Sequence, residues 1–177
     1  MARNGVTVDK RVWNRMKRNL LAGNRKSLDI GWFDGKMHTN NRTNTPPVTL
    51  AQLASWLEHG HVNGGIGAGT VTPPRPFMRA GFIVYLRNNK DFANTVARHF
   101  TSVALGTSTW EQVYAQMGPQ LARALQAIMY AWTNPANGPM TQALKGFNDP
   151  LLETGELIAS VDWRVGTASK ATGGALR

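Results

Sequence analysis

Apolar positions recur at helical spacing at Val12, Trp13, Met16 and Leu20, while Lys10, Arg11, Arg15, Lys17 and Arg18 fill much of the rest. The pattern predicts an amphipathic helix over 9–22, with Asp9 as its N-cap and Gly23 as its stop. Leu28, Ile30 and Trp32 then alternate with Asp29, Gly31 and Phe33, which is the period of a strand, and Asp34-Gly35 is the turn signal that ends it. Residues 36–48 are mostly polar, carry Pro46-Pro47 near their end and read as a loop, mobile in an isolated subunit. Thr49 followed by Gln52 has capping-box spacing. Leu50, Leu53, Ala54 and Leu57 form the apolar face of the helix it opens, which ends before Gly60.

Gly60, Gly64, Gly65, Gly67 and Gly69 make 60–72 a glycine-rich loop, and Pro73-Pro74-Arg75-Pro76 is stiff and extended, because each proline restrains its own φ and its predecessor. Phe77 to Leu86 is apolar enough for a helix or a buried strand, and helix is the favoured reading. Asp91 to Ala104 reads as another, with Phe92, Val96, Phe100 and Val103 inward. Ser108 and Glu111 form a second capping-box pattern. It opens the longest helix, through Val113, Met117, Leu121, Leu125, Ile128 and Met129 to about Trp132, with a kink or break expected at Pro119. Asn134 to Pro139 is a linker signal, followed by a short helical piece near 140–146. Thr154 is placed to cap a further helix carrying Leu157 and Ile158, and Val161, Trp163 and Val165 alternate as a strand. Gly166 to Arg177 are mostly small and polar and read as a disordered tail. Without an internal repeat, the tally is α+β: several helices packed on a small, mainly antiparallel sheet, with long extended loops. The expected organisation is a single domain over 1–166 and a flexible C-terminal tail over 167–177.

Composition narrows the function classes. The chain has 177 residues, 42% hydrophobic and 17% charged, which suits one ordinary domain with a real core. No cysteine is present, which excludes disulfides, thiolate metal sites, iron–sulfur clusters and cysteine nucleophiles. No apolar run reaches the roughly 18 residues of a membrane span, so no membrane role is expected. Met1 to Lys10 has no apolar stretch of a secretory signal. Lys and Arg total 20 against 10 acidic residues, a formal charge of +10. Residues 1–43 carry ten basic and three acidic residues, and so hold seven of those ten net charges. Such a bias suits a polyanionic partner.

Catalytic signals are weak. Glu58-His59-Gly60-His61 groups three possible metal ligands, yet no convincing further ligand lies near, and a histidine at a helix C-terminus has the plainer role of complementing the dipole. The run Gly64 to Gly69 follows a helix and precedes prolines, the reverse of a phosphate-binding fingerprint. Glu153 and Glu156 stand three apart with nothing to mark a polar pocket, and read as a solvated helix start. Serine-nucleophile signatures are absent. The expectation is a non-enzyme with no cofactor and no metal. A hydrolase using Glu58, His59 and His61 is the outlying alternative.

Two segments carry a family resemblance. The first runs from Leu53 to Gly60 and resumes after a variable loop as Pro73-Pro74-Arg75-Pro76-Phe77-Met78-Arg79; the second runs from Lys145 to Val165. In this order they resemble the tail-completion or neck proteins of long-tailed bacteriophages, also described as virion morphogenesis or minor tail proteins. In that family a helix ending in Glu-x-Gly leads by a loop to Arg-Pro-Phe-hydrophobic-Arg, and a later Pro-Leu-x-x-Thr-Gly-x-Leu leads into a strand. The matching positions here are Glu58, Gly60, Pro74, Arg75, Pro76, Phe77, Arg79, Pro150, Leu151, Thr154, Gly155 and Leu157. Two departures are the long glycine loop after His59 and Leu152-Glu153 where an aspartate often precedes the threonine. The motifs also have physical readings of their own. Pro74 and Pro76 set the angle at which Phe77 enters the core, and Arg75 and Arg79 flank it within reach of carboxylates such as Glu58.

The resemblance implies a structural virion protein of the head–tail junction, assembled in the host cytoplasm. It would form a homo-oligomeric ring, hexamer or dodecamer, around the DNA channel, and join the head-side connector or portal adaptor to the tail terminator or tail tube. Packaged DNA would be met without sequence specificity. Lys10, Arg11, Arg15, Lys17, Arg18, Arg25 and Lys26 are the candidate contacts to DNA or to an acidic partner ring. The alternative is a free, non-specific DNA-binding protein that uses the same basic quarter.

Overall fold

The computed structural model describes residues 10–33, 35–39, 47–62, 69 and 71–167. Among them the fold is α+β, mostly helical with small antiparallel sheets. Helix α1 spans Lys10–Leu21 and passes through a 3₁₀ turn, Ala22–Arg25, into strand β1, Lys26–Gly31. Helix α2, Leu50–His59, precedes the two-residue strands β2, His61–Val62, and β3, Val71–Thr72, which pair antiparallel. A π-helical stretch, Phe77–Phe82, continues into α3, Ile83–Asn88, and then come α4, Lys90–Leu105, and α5, Trp110–Tyr130. Short helices α6, Pro139–Lys145, and α7, Glu156–Ala159, lead to β4, Asp162–Thr167, which pairs antiparallel with β1 from Lys26↔Thr167 to Gly31↔Asp162.

Helix α5 is the central element. Its Ala122, Leu125 and Met129 share the main core with Leu50 and Ala54 of α2, with Phe77, and with Leu151, Leu157, Ile158 and Val161. The β1–β4 ribbon lies against α5. Gly118 permits this approach, because a Cβ there would come within 2.3 Å of the Trp163 ring. A smaller cluster, Val103, Trp110 and Val113, joins α4 to the start of α5. It anchors the end of α1 through Trp110 Nε1, which donates to Asn19 O at 3.1 Å, and Asn19 Nδ2, which donates to Ala104 O at 3.2 Å.

Several sequence expectations change. The long helix is capped by Thr109 and Gln112, one residue past the expected Ser108–Glu111 pair: Gln112 N donates to the Thr109 hydroxyl and Thr109 N to Gln112 Oε1, while Glu111 pairs with Lys26. Pro119 neither ends nor interrupts α5; packing on both sides of it holds the helix through the lost amide bond. Gly23 lies inside the 3₁₀ turn and does not stop α1; a Cβ there would strike the Trp110 indole at 2.4 Å. Strand β1 begins two residues earlier than expected, and Gly166 and Thr167 belong to β4, since each strand supplies the other's partners. The domain therefore includes Thr167, and the remaining tail positions, 168–177, lie outside the described residues, as do Asp9, Asp34, 40–46 and Gly64 to Gly67. The expected loop 36–48 is structured at its base. His38 N donates to Val48 O and Leu50 N to Lys36 O, both at 2.8 Å, around a Met37↔Thr49 bridge. Phe100, expected inward, is 49% exposed and sets its edge against Trp110.

Candidate functional site

Two surfaces and one buried junction gather the residues singled out by sequence. The junction is built at the end of α2. Glu58, 5% exposed, aims its carboxylate at the first turn of the π-helical stretch. Oε2 accepts from Met78 N at 2.9 Å, Oε1 from Arg79 N at 3.0 Å, and Arg79 Nε approaches Oε1 at 3.4 Å. Ala80 N donates to Pro76 O at 2.8 Å, so consecutive first-turn amides that would otherwise lack acceptors are satisfied. A carboxylate is favoured there by the positive end of the helix. Gly60 lets the chain turn away at φ 76°, where a Cβ would meet Thr72 O at 2.8 Å and Pro74 N at 2.9 Å. Phe77 follows, fully buried, with its ring T-shaped to Trp32 at 6.0 Å.

Arg75 departs from expectation. It does not pair with Glu58, whose oxygens are already committed. Its backbone N donates to Leu57 O at 2.8 Å, and the side chain, 4% exposed, crosses to the turn after α5. Arg75 Nε donates to Pro135 O at 3.2 Å, and Nη2 to Asn137 Oδ1 at 3.2 Å and Ala136 O at 3.4 Å. Asn137 was legible only as part of a linker signal, yet it is 6% exposed and links the two motif segments. Its N donates to Asn148 Oδ1 and its Nδ2 to Asp149 O, while its carbonyl accepts from Gln142 Nε2. Lys145 Nζ donates to Leu152 O at 2.6 Å and to Asp149 O at 3.3 Å. Pro150, Leu151 and Leu157 are buried against this network. Pro74, Arg79 and Thr154 remain exposed and Pro76 is half-buried. Thr154 is not the N-cap of α7: Gly155, in the left-handed region at φ 79°, holds that position, although the Thr154 hydroxyl accepts from Glu156 N at 3.3 Å.

Glu156, read from sequence as a solvated helix start, instead holds the loop base. Its carboxylate accepts from Thr39 N at 2.9 Å and Thr39 Oγ1 at 2.8 Å, and lies 3.0 Å from His38 Nδ1. The Thr39 hydrogen bonds, aided by His38, hold its pKa below the ordinary glutamate range. A depressed carboxylate stabilises above its unfolded-state pKa and stops doing so as pH falls through its folded pKa. The Thr39 amide resonance is therefore expected to stay at its bonded position at neutral pH. It should move only in acid below the usual glutamate titration, when followed by amide NMR.

The basic surface is α1. Lys10, Arg11, Arg15, Lys17 and Arg18 are all exposed, the helix contains no acidic residue and none of its residues is buried. Arg25 is exposed just beyond it. Lys26 is half-buried and forms an ion pair with Glu111. The expected apolar face is only partly covered. Met16 and Leu20 are half-buried toward α4, whereas Trp13 is 61% and Val12 42% exposed, because α1 overhangs the helix it packs on.

The remaining candidates do not converge. Glu58 is committed to the π-helical turn, His59 Nδ1 lies 2.9 Å from Ser55 O, and His61 packs its ring on Trp56. Among the described residues no three His, Asp or Glu side chains are placed to hold a metal, and no helix is long and apolar enough to cross a membrane. Comparison with known families, with curated proteins and with solved structures finds no match.

Proposed function

We propose that the chain is a structural subunit of the phage head–tail junction, a neck or tail-completion protein that assembles as a ring around the DNA channel. The observation that carries this reading is spatial. The two segments that resemble the family, with residues 80–144 between them, meet through the chain Leu57–Arg75–Asn137–Asp149 and share one core through Phe77, Leu151 and Leu157. Such motifs specify one packed unit and leave the outer surfaces for assembly. Ring contacts are heterologous, joining one face to a different face on the next copy. The partly uncovered stripe of α1 and its cations suit either a neighbouring ring or DNA.

The exposed cationic helix also favours non-specific DNA binding by a free subunit, and one set of substitutions separates the two readings. Changing Arg11, Arg15 and Arg18 together to Gln is expected to leave folding intact, because all three are exposed. For the ring protein, assembly measured by native mass spectrometry persists while retention of packaged DNA falls. For a free DNA binder, affinity for duplex DNA falls and the slope of log affinity against log salt shrinks by about 2–3, near 0.9 per lost phosphate contact.

A further inference from the structure

Beside the junction runs a groove of about 840 Å³, bounded by α2, the Pro73–Arg75 segment, α6 and the chain after Pro150. Its walls are apolar at Leu53, Leu57, Met140 and Leu144, and Met140 and Leu144 are 62% and 64% exposed, so these side chains face solvent as if uncovered. Its lining carries two cations and one exposed carboxylate, Glu153. Arg75 and Lys145 both line it, and both are held by neutral oxygens. No carboxylate among the described residues reaches Arg75 within ion-pair distance, and its Nη1 has no partner among them. Lys145 uses two of its three N–H bonds, on Leu152 O and Asp149 O. Glu153 and Asp149 offset part of the Lys145 charge, while burial and the nearby Arg75 push its pKa down. Burial likewise lowers the pKa of Arg75. A buried guanidinium without a counter-ion is costly, and an arriving carboxylate relieves that cost.

We infer that this groove docks an acidic segment of a partner protein, with one carboxylate side chain seated at Arg75 and Lys145 and its apolar neighbours laid over Leu53, Leu57, Met140 and Leu144. Charge complementarity selects the occupant: a nucleic-acid backbone brings phosphate but nothing to cover Met140 and Leu144, and a purely apolar segment leaves the cations unanswered. The inference stands apart from the α1 surface and does not require the ring.

The test uses a blocked peptide of alternating Leu and Ser around one central Glu, its Gln counterpart, and the full-length protein with labelled methionine methyls. The Glu peptide is expected to shift the Met140 methyl and to bind about tenfold more tightly than the Gln peptide, the range of a charge-assisted hydrogen bond. Lys145→Met should reduce that preference severalfold, and Glu153→Gln should strengthen binding of the Glu peptide. Met140→Ser, at an exposed position, should weaken both peptides without altering the thermal melt. Equal affinity for the two peptides would overturn the proposal. So would binding of the Glu peptide that duplex DNA displaces and that never shifts the Met140 methyl, which would place the contact on the α1 cations. Self-association that Met140→Ser abolishes and the Glu peptide cannot compete would also overturn it, by assigning the groove to an apolar contact with a second copy.

Discussion

Phe77→Ala is expected to lower unfolding stability by about 3–5 kcal/mol, the range for removing a fully buried phenylalanine. Phe77 is the largest fully buried side chain among the described residues and lies at the point where both motif segments meet. Truncation removes the ring from the cluster it shares with Leu50, Leu125 and Ile158 and leaves the Trp32 ring without its edge partner. Collapse to fill the void is restricted, because Pro76 fixes the approach and Glu58 fixes the next two amides. At about 2–4 °C per kcal/mol for a domain of this size, the melting temperature should fall by roughly 10 °C. Urea unfolding provides the measurement, with Phe82→Ala, at a half-buried position of the same helical stretch, expected to cost clearly less. A loss below about 1 kcal/mol at Phe77 would mean that the motif does not organise the core.

The second large effect is expected at Glu58. Glu58→Ala strips the acceptors from Met78 N and Arg79 N and leaves a cavity at a site 5% exposed, a cost of about 3 kcal/mol. Glu58→Gln keeps one oxygen acceptor but presents an amide donor to the other N–H, so about half of that loss should remain. Arg79→Ala is the control. The Arg79 side chain is 64% exposed, so its ion pair with Glu58 contributes within about 1 kcal/mol. If Arg79→Ala costs as much as Glu58→Ala, the carboxylate acts through the ion pair and not through the helix amides.

Local chemistry was legible where it is self-contained. The Thr49–Gln52 capping box and the α2 face depend on neighbours a few residues away, and they appear as the spacing predicts; β1 and β4 form and pair, but β1 is half-buried as far as Ile30 and Val165 is exposed, so the alternation does not become alternating burial. The cap of α5 slipped by one residue because Ser108-x-x-Glu111 and Thr109-x-x-Gln112 satisfy the same pattern in adjacent frames. The structure uses the second frame, and Glu111 instead pairs with Lys26, a partner 85 residues away. Arg75 was correctly placed beside Phe77, but its partners come from a turn about 60 residues later. Asn137 illustrates the same limit: Asn-Gly-Pro is a turn composition whether the side chain is in water or, as here, wired to Arg75 and Asp149. On α1 the helical period identified the apolar stripe, but the reach of α4 along it is a tertiary fact, so Val12 and Trp13 remained exposed where burial was expected.

The role proposed above is that of a ring-forming subunit of the head–tail junction. The mass of the purified protein, alone and then mixed with connector or tail-tube protein, tests it most directly by native mass spectrometry or light scattering. A closed ring, hexamer or dodecamer, is expected, either alone or on addition of a virion partner. A monomer that ignores both partners and binds duplex DNA with a steep salt dependence would contradict it.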